Sequence, residues 1–197
     1  TIAGVQWSGV SDARLETMRA AANLDEGAVY RLGAIDAART RVERRYRTLG
    51  YNSVRVVSAA KPDESGTSVE VDLTVTEGPQ QVLQNVVTSG TTRTREGVVD
   101  RALRLKVGEP VNLEEWSLAR KRLFDTNVFR TVDIQAVPIG EPVDGVQPVR
   151  ASVTVEEYPV WRLRYGFQVD REPEDLVTEQ RIRYAPGVLG ELRNQNL

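Results

Sequence analysis

The sequence contains no cysteine and no histidine among its 197 residues, and a single methionine. Without those side chains there is no thiolate nucleophile, no imidazole base and no zinc site of the usual nitrogen–sulfur kind. A metal would have to be held by oxygen ligands. A serine nucleophile would lack its usual base, leaving lysine or a carboxylate. No disulfide framework can form, although that does not fix the compartment. An excess of one charge is also missing. The 26 Lys+Arg against 28 Asp+Glu give a net charge of −2, which speaks against a dedicated nucleic-acid binder with its basic surface. No apolar run approaches the ~20 residues of a transmembrane helix. There is no GxxxxGK[ST] phosphate loop. The chain opens Thr1-Ile2-Ala3-Gly4, with neither a start methionine nor a basic-then-apolar leader. It therefore reads as a piece of a longer protein.

What is present is ordinary for a folded chain, with 40% hydrophobic and 27% charged residues, but it is arranged as a repeat. Glu77-Gly78-Pro79 closes one block and Glu157-Tyr158-Pro159 another, 80 residues on. Each follows a strictly alternating run, Val69 to Val75 in the first and Val149 to Val155 in the second. Gly9 matches Gly90, Gly27 matches Gly108, and Tyr51 matches Phe129 at nearly the same offset. This period is too long for common solenoid repeats. It predicts two tandem domains over residues 1–79 and 80–159, each large enough for one two-layer core.

Each block reads β-α-α-β-β, an α+β fold in which two helices cover one face of a small mixed sheet. In the first, Val5 and Trp7 lie on a strand. Ser11 or Asp12 caps a helix running to Ala22. Ile35, Ala38, Val42 and Tyr46 form the buried stripe of a second helix, which ends at Leu49-Gly50. A hairpin joins Val54–Ala59 to Val69–Thr76 across Lys61 to Gly66. In the second, Val82–Thr88 is a strand. Thr92 or Thr94 is expected to cap a helix through Arg104 that carries Val98, Val99, Ala102 and Leu103. Lys106 to Pro110 breaks the pattern. Asn112 with Glu115 resembles a capping box, and the helix it opens is expected to bury Trp116, Ala119, Leu123 and either Leu118 or the Arg122 stem. Strands from Phe129 and from Val149 complete the block.

From residue 160 to 197 the pattern changes. Trp161, Leu163, Tyr165, Phe167 and Val169 share one face of a strand, and Arg162, Arg164, Gly166, Gln168 and Asp170 the other. Ile182 and Tyr184 then oppose Arg181 and Arg183. Apolar and aromatic side chains on one face with polar ones opposite fit a strand of a transmembrane β-barrel. A soluble strand alternates as well, so the periodicity alone leaves both readings open. Two strands cannot close a barrel. A lone hairpin is marginal in water, so this tail is expected to be disordered or to pair with a neighbouring chain.

These blocks, closing on Val-x-Val-x-Glu-x-Pro and leading into Arg164-Tyr165-Gly166, resemble the polypeptide-transport-associated (POTRA) domains of the bacterial surface antigen superfamily. That superfamily includes the Bam-type and Tam-type outer-membrane assembly and translocation proteins. The resemblance is carried by Gly108-Glu109-Pro110, by Arg122-Leu123-Phe124-Asp125-Thr126-Asn127-Val128-Phe129-Arg130-Thr131-Val132, by Val153 to Pro159, and by Gly187 to Leu197. The family's usual Gly before Phe129 is replaced by Asn127-Val128. The resemblance implies two POTRA-like domains followed by the start of a barrel cut short. It implies no enzyme activity, no cofactor, no metal and no nucleotide. It implies client binding by strand addition at the second strand of each domain, represented by Val54, Arg55, Val56 and Val57, and by Arg130, Val132 and Ile134. It also implies lumen-facing Arg162 and Arg164. The implied partners are unfolded outer-membrane polypeptides, assembly lipoproteins or periplasmic chaperones, and the membrane itself through the missing barrel. The implied location is the bacterial outer membrane, mostly on its periplasmic side.

The striking residue types also have plainer readings. Glu156 and Glu157 point to opposite faces of a strand and read as solvated. Asp63 to Gly66 reads as a hairpin turn rather than half a calcium loop. Arg39, Arg41, Arg44, Arg45 and Arg47 read as a solvated face opposite the apolar stripe. Trp116 reads as core. Two alternatives follow: a two-partner secretion transporter dedicated to one exoprotein, and a carboxylate-dependent hydrolase, for which nothing in the spacing supplies two facing acids.

Overall fold

The structure, a computed structural model, describes residues 1–64, 66–159, 161–174 and 181–194. Two α+β units follow one another, and a two-stranded sheet follows them. The first unit contains β1 (Ile2–Ser8), α1 (Asp12–Ala22), α2 (Leu32–Thr48), β2 (Arg55–Pro62) and β3 (Val69–Thr76). The second contains β4 (Gln80–Ser89), α3 (Glu96–Leu103), α4 (Leu113–Asp125), β5 (Phe129–Pro138) and β6 (Val146–Glu157). The sheet orders are β1-β3-β2 and β4-β6-β5, so the last strand of each unit lies in the centre. It pairs parallel with the first strand and antiparallel with the second.

The central strands are central because every second side chain on them is apolar. Val71, Leu73 and Val75 are buried in the first unit, and Val149, Ala151, Val153 and Val155 in the second. Helices cover that face. The α2 stripe of Ile35, Ala38, Val42 and Tyr46 is buried as its spacing predicts, and so are Trp116, Ala119 and Leu123 of α4. Asn112 caps α4, its Oδ1 accepting from the N–H of Glu114 at 3.0 Å and of Glu115 at 3.4 Å. Each first helix ends on a residue at positive φ, Asn23 and Arg104, 81 positions apart. An arginine from the second helix then satisfies its terminal carbonyls. Arg41 donates to the carbonyls of Ala21 and Ala22, and Arg122 to those of Ala102 and Leu103.

Gly9 and Gly90 end the first strands at φ +77° and +89°. A Cβ on either would be driven into the carbonyl oxygen of the central strand, that of Val75 or Val155. Glycine is therefore required at both positions for space as well as for backbone angle.

The units meet through polar groups. Gln81 N–H donates to Gly50 O at 2.9 Å, and the Gln80 amide to Leu49 O at 2.8 Å. Asn52 Nδ2 bridges Gln81 Oε1 and Val111 O. Arg44 pairs with Glu114 at 3.2 Å.

Several expectations are corrected. α3 begins at Glu96 behind Arg95, so neither Thr92 nor Thr94 caps it. Of the two side chains offered as the last buried position of α4, Arg122 turns inward and Leu118 is half exposed. β2 runs on to Pro62, beyond Ala59, because the hairpin turn is tighter: Asp63 accepts from the backbone of Thr67 and Ser68. The tail is paired within the chain. β7 (Trp161–Glu174) and β8 (Arg181–Asn194) form an antiparallel sheet whose register sets Leu163 opposite Leu192 and Phe167 opposite Val188. The Arg162, Ile182 and Tyr184 side chains and their neighbours at 181 and 183 lie outside the described side chains.

Candidate functional site

Each sheet has two edges, and the chain treats them differently. On the first-strand edge, the loop between the helices adds backbone bonds. Gly27 N–H donates to Ile2 O and Ile2 N–H to Ala28 O, both at 2.8 Å. In the second unit Gly108 donates to Leu83 O and Leu83 to Glu109 O, and Val111 N–H reaches Gln81 O. These contacts close the beginnings of β1 and β4, beside a bulge in each strand.

On the other edge, β2 and β5 have a neighbour strand on one side alone. Val56 N–H donates to Glu43 Oε1 at 3.3 Å, so it faces away from β3. In an antiparallel ladder alternate residues share that direction, which turns Ser58 and Ala60 outward as well. The register makes Val132, Ile134 and Ala136 their counterparts: Val56 sits opposite Val75 and Val132 opposite Val155. Both outward rows end in proline, Pro62 and Pro138, which has no N–H to offer.

Each residue singled out by the resemblance, Arg162 excepted, can now be placed. Val54 lies just before β2, buried, with its N–H on Tyr51 O. Val56 is buried in the first core, whereas Arg55 and Val57 are exposed. Arg130 is exposed and bonds Glu156 at the bulge of β5. Val132 and Ile134 are half-buried against the second core. Arg164 is exposed, opposite Glu191 in the hairpin register. The β2 and β5 residues belong to separate sheets, so they form two edges and no single site.

The two edges border different helix faces. Beside β5 lies a groove of about 520 Å³ against α4. Leu118, Phe124 and Val132 supply its apolar lining, and Arg120, Lys121 and Arg130 its cations. Leu118 and Phe124 are 50% and 51% exposed. Sequence reading missed Phe124 and left Leu118 open as a core candidate. The signal available was that each directly adjoins a stripe residue, Ala119 or Leu123, and so is turned about 100° off the Trp116/Ala119/Leu123 stripe.

Glu157 is the other residue misread. Its side chain is 5% exposed, not solvated. Its carboxylate accepts from the N–H groups of Thr92, Arg93 and Thr94, from Thr92 Oγ1 and from Arg93 Nε. Burial opposes its ionisation, but the Thr94 N–H, the Thr92 hydroxyl and the Arg93 N–H outweigh burial and hold its pKa well below the usual carboxylate range. Its counterpart Glu77 instead accepts from Tyr46 Oη at 2.8 Å and pairs with Arg14 at 3.2 Å. Burial first, then that bond, pushes the Tyr46 phenol upward. Both carboxylates are engaged in holding the fold together. Among the described residues no cluster of acids suits a metal, and no helix is long and apolar enough to cross a membrane, which says nothing of a β-barrel.

Comparison with known proteins agrees with this architecture. The POTRA family model, described as a surface antigen variable number repeat, matches residues 1–78 and 82–157. No curated protein matches. The chain is similar to the POTRA3-5 crystal structure of Haemophilus influenzae BamA, with 22% identity and a TM-score of 0.55 over 79% of this chain and 61% of that one. It is similar to Haemophilus ducreyi BamA lacking POTRA domains 1-3, with 16% identity and a TM-score of 0.64 over 98% of this chain and 36% of that one. The chain thus spans less than two thirds of either protein. Two consecutive repeat matches, each falling on one β-α-α-β-β unit, show that this chain belongs to the POTRA family.

Proposed function

We propose that this chain is the periplasmic polypeptide-binding part of an outer-membrane β-barrel assembly or translocation factor. It engages unfolded outer-membrane polypeptides by adding their strands to β2 and β5, with no catalytic step. One observation carries the reading: β2 and β5 have no strand on their outer side, where Glu43 takes the N–H of Val56, while the opposite edges are partly closed by the interhelix loops. Backbone pairing tolerates many side-chain sequences, which suits a protein that handles many clients. Partner lipoproteins or periplasmic chaperones would use the same chemistry.

The hairpin β7–β8 is read as the first staves of the barrel. Leu163, Tyr165, Phe167 and Val169 of β7 and Val188 and Leu192 of β8 are all exposed, and the register places them on one face. Such a face suits lipid, and further strands would be needed to satisfy its edges. Arg164 would then point into the lumen, with Arg162 beside it in sequence parity.

An NMR titration of the chain with an unfolded barrel-protein peptide tests the strand-addition reading. Amide shifts along residues 55–62 or 130–138 are the expected result. Shifts confined to the outer faces of α1–α4 would refute it.

A further inference from the structure

Resting on the strand-addition reading, we infer that the two edges are not equivalent. The β5 edge is the receiving one, it selects strands that carry a large apolar side chain flanked on the same face by carboxylates, and Glu43 latches the β2 edge shut.

The argument starts from the repeat. Arg41 and Arg122 do the same work 81 positions apart, and Ala38 and Ala119 occupy the same place in the two buried stripes. At that offset Glu43 corresponds to Phe124, and Ala37 to Leu118. Glu43 is 15% exposed and lies over the start of β2. Its Oε1 accepts from Val56 N–H at 3.3 Å and from Arg39 Nη1 at 3.2 Å, and its Oε2 lies 3.7 Å from Arg47. Arg39 is held in turn by Asp36. The first outward donor of β2, which an incoming strand would need for its carbonyl, is therefore already taken by a carboxylate that two arginines hold in place. A client would have to displace that carboxylate from two cations at once.

Phe124 can accept no hydrogen bond, so the corresponding start of β5 carries no such latch. With Leu118 it offers the apolar floor that Glu43 and Ala37 deny to β2. A strand added to β5 sends alternate side chains over that floor, where one large apolar residue would be desolvated. The groove lining holds three cations and no carboxylate. Lys121 and Arg130 are already paired, with Asp125 and Glu156. Arg120 has no ion-pair partner among the described residues. The surplus of positive charge lies on the groove rim and favours carboxylates two residues to either side of the apolar one.

The test uses the full chain and two short synthetic peptides. Each alternates threonine with a central phenylalanine whose same-face neighbours are both glutamate in one peptide and both lysine in the other. The expected result is amide shifts along 130–138 and none along 55–62, with the glutamate peptide binding about tenfold tighter at low salt and losing that advantage at high salt. Phe124→Glu, at a half-exposed position, should abolish the shifts. Glu43→Phe should bring equivalent shifts to 55–62. Equal binding at both edges, or an equal response to the two peptides, overturns this inference and leaves strand addition standing. Binding at neither edge overturns both.

Discussion

The first and second POTRA units are built on one plan and differ where side chains reach beyond the fold. What they share is forced by the backbone. The positions of Gly9 and Gly90 have no room for a Cβ. Asn23 and Arg104 both turn the chain at positive φ, and Arg41 and Arg122 both satisfy the carbonyls left open there. The closing glutamates share a position and differ in partners: Glu77 reaches helix side chains, whereas Glu157 gathers the loop ahead of α3. The helix faces along the open edges differ most, with a carboxylate network over β2 and an apolar groove beside β5. Repetition marks what the fold needs, and divergence marks what each copy can bind.

The largest expected effect is one that the two units share. Gly9→Ala and Gly90→Ala should each cost their own unit more than about 3 kcal/mol, since a backbone carbonyl must move and a positive φ be held. Gly27→Ala and Gly108→Ala, at positive φ but with open space around the missing Cβ, should cost about 1 kcal/mol. Denaturant unfolding followed by separate NMR probes in each unit would measure all four. Similar costs at Gly9 and Gly27 would break the steric account.

The next effect divides the units. Glu157→Gln should destabilise the second unit by about 2–3 kcal/mol, because it removes a buried anion that several donors converge upon. The pH dependence follows from the direction of the shift. The folded pKa of Glu157 is depressed, so its contribution is full above the ordinary carboxylate pKa and is lost as pH falls through the range below it. The second unit of the native chain should therefore weaken progressively under acid, and the Glu157→Gln chain should lose that part of the dependence. An unchanged acid limb in the variant would contradict the assignment.

The smallest effect concerns helix starts. Asn112→Ala should cost about 1 kcal/mol, since its side chain accepts two backbone N–H groups. Ser11 makes no cap bond to the backbone of α1, so Ser11→Ala should cost less than about 0.5 kcal/mol. Thermal unfolding of the two variants would separate them, and equal losses would show that the cap bond is not the source.

Much of this architecture was legible in the residues. The Ile35/Ala38/Val42/Tyr46 stripe, the Asn112 cap and the alternating central strands follow from periodicity and local hydrogen bonding, and the repeat placed both units. Apart from the local turn at Asp63 that lengthens β2, the failures trace to partners distant along the chain. Thr92 and Thr94 have the chemistry of helix caps, but their donors are taken by Glu157, more than sixty residues away. Glu157 sits in an acidic pair and reads as surface until that loop folds over it. Arg41 hides in a basic run although it serves α1. The resemblance alone implied an edge for Val132 and Ile134, and the groove beside them was not legible, because Leu118 and Phe124 resemble ordinary helix residues until α4 is laid against β5.

The most direct test of strand addition is a nuclear Overhauser measurement on the chain saturated with an isotope-labelled client peptide. The account predicts interstrand contacts from peptide backbone protons to those of Val132, Ile134 and Ala136 in an alternating pattern. Contacts reaching the α4 side chains alone, with none along the β5 backbone, would contradict it.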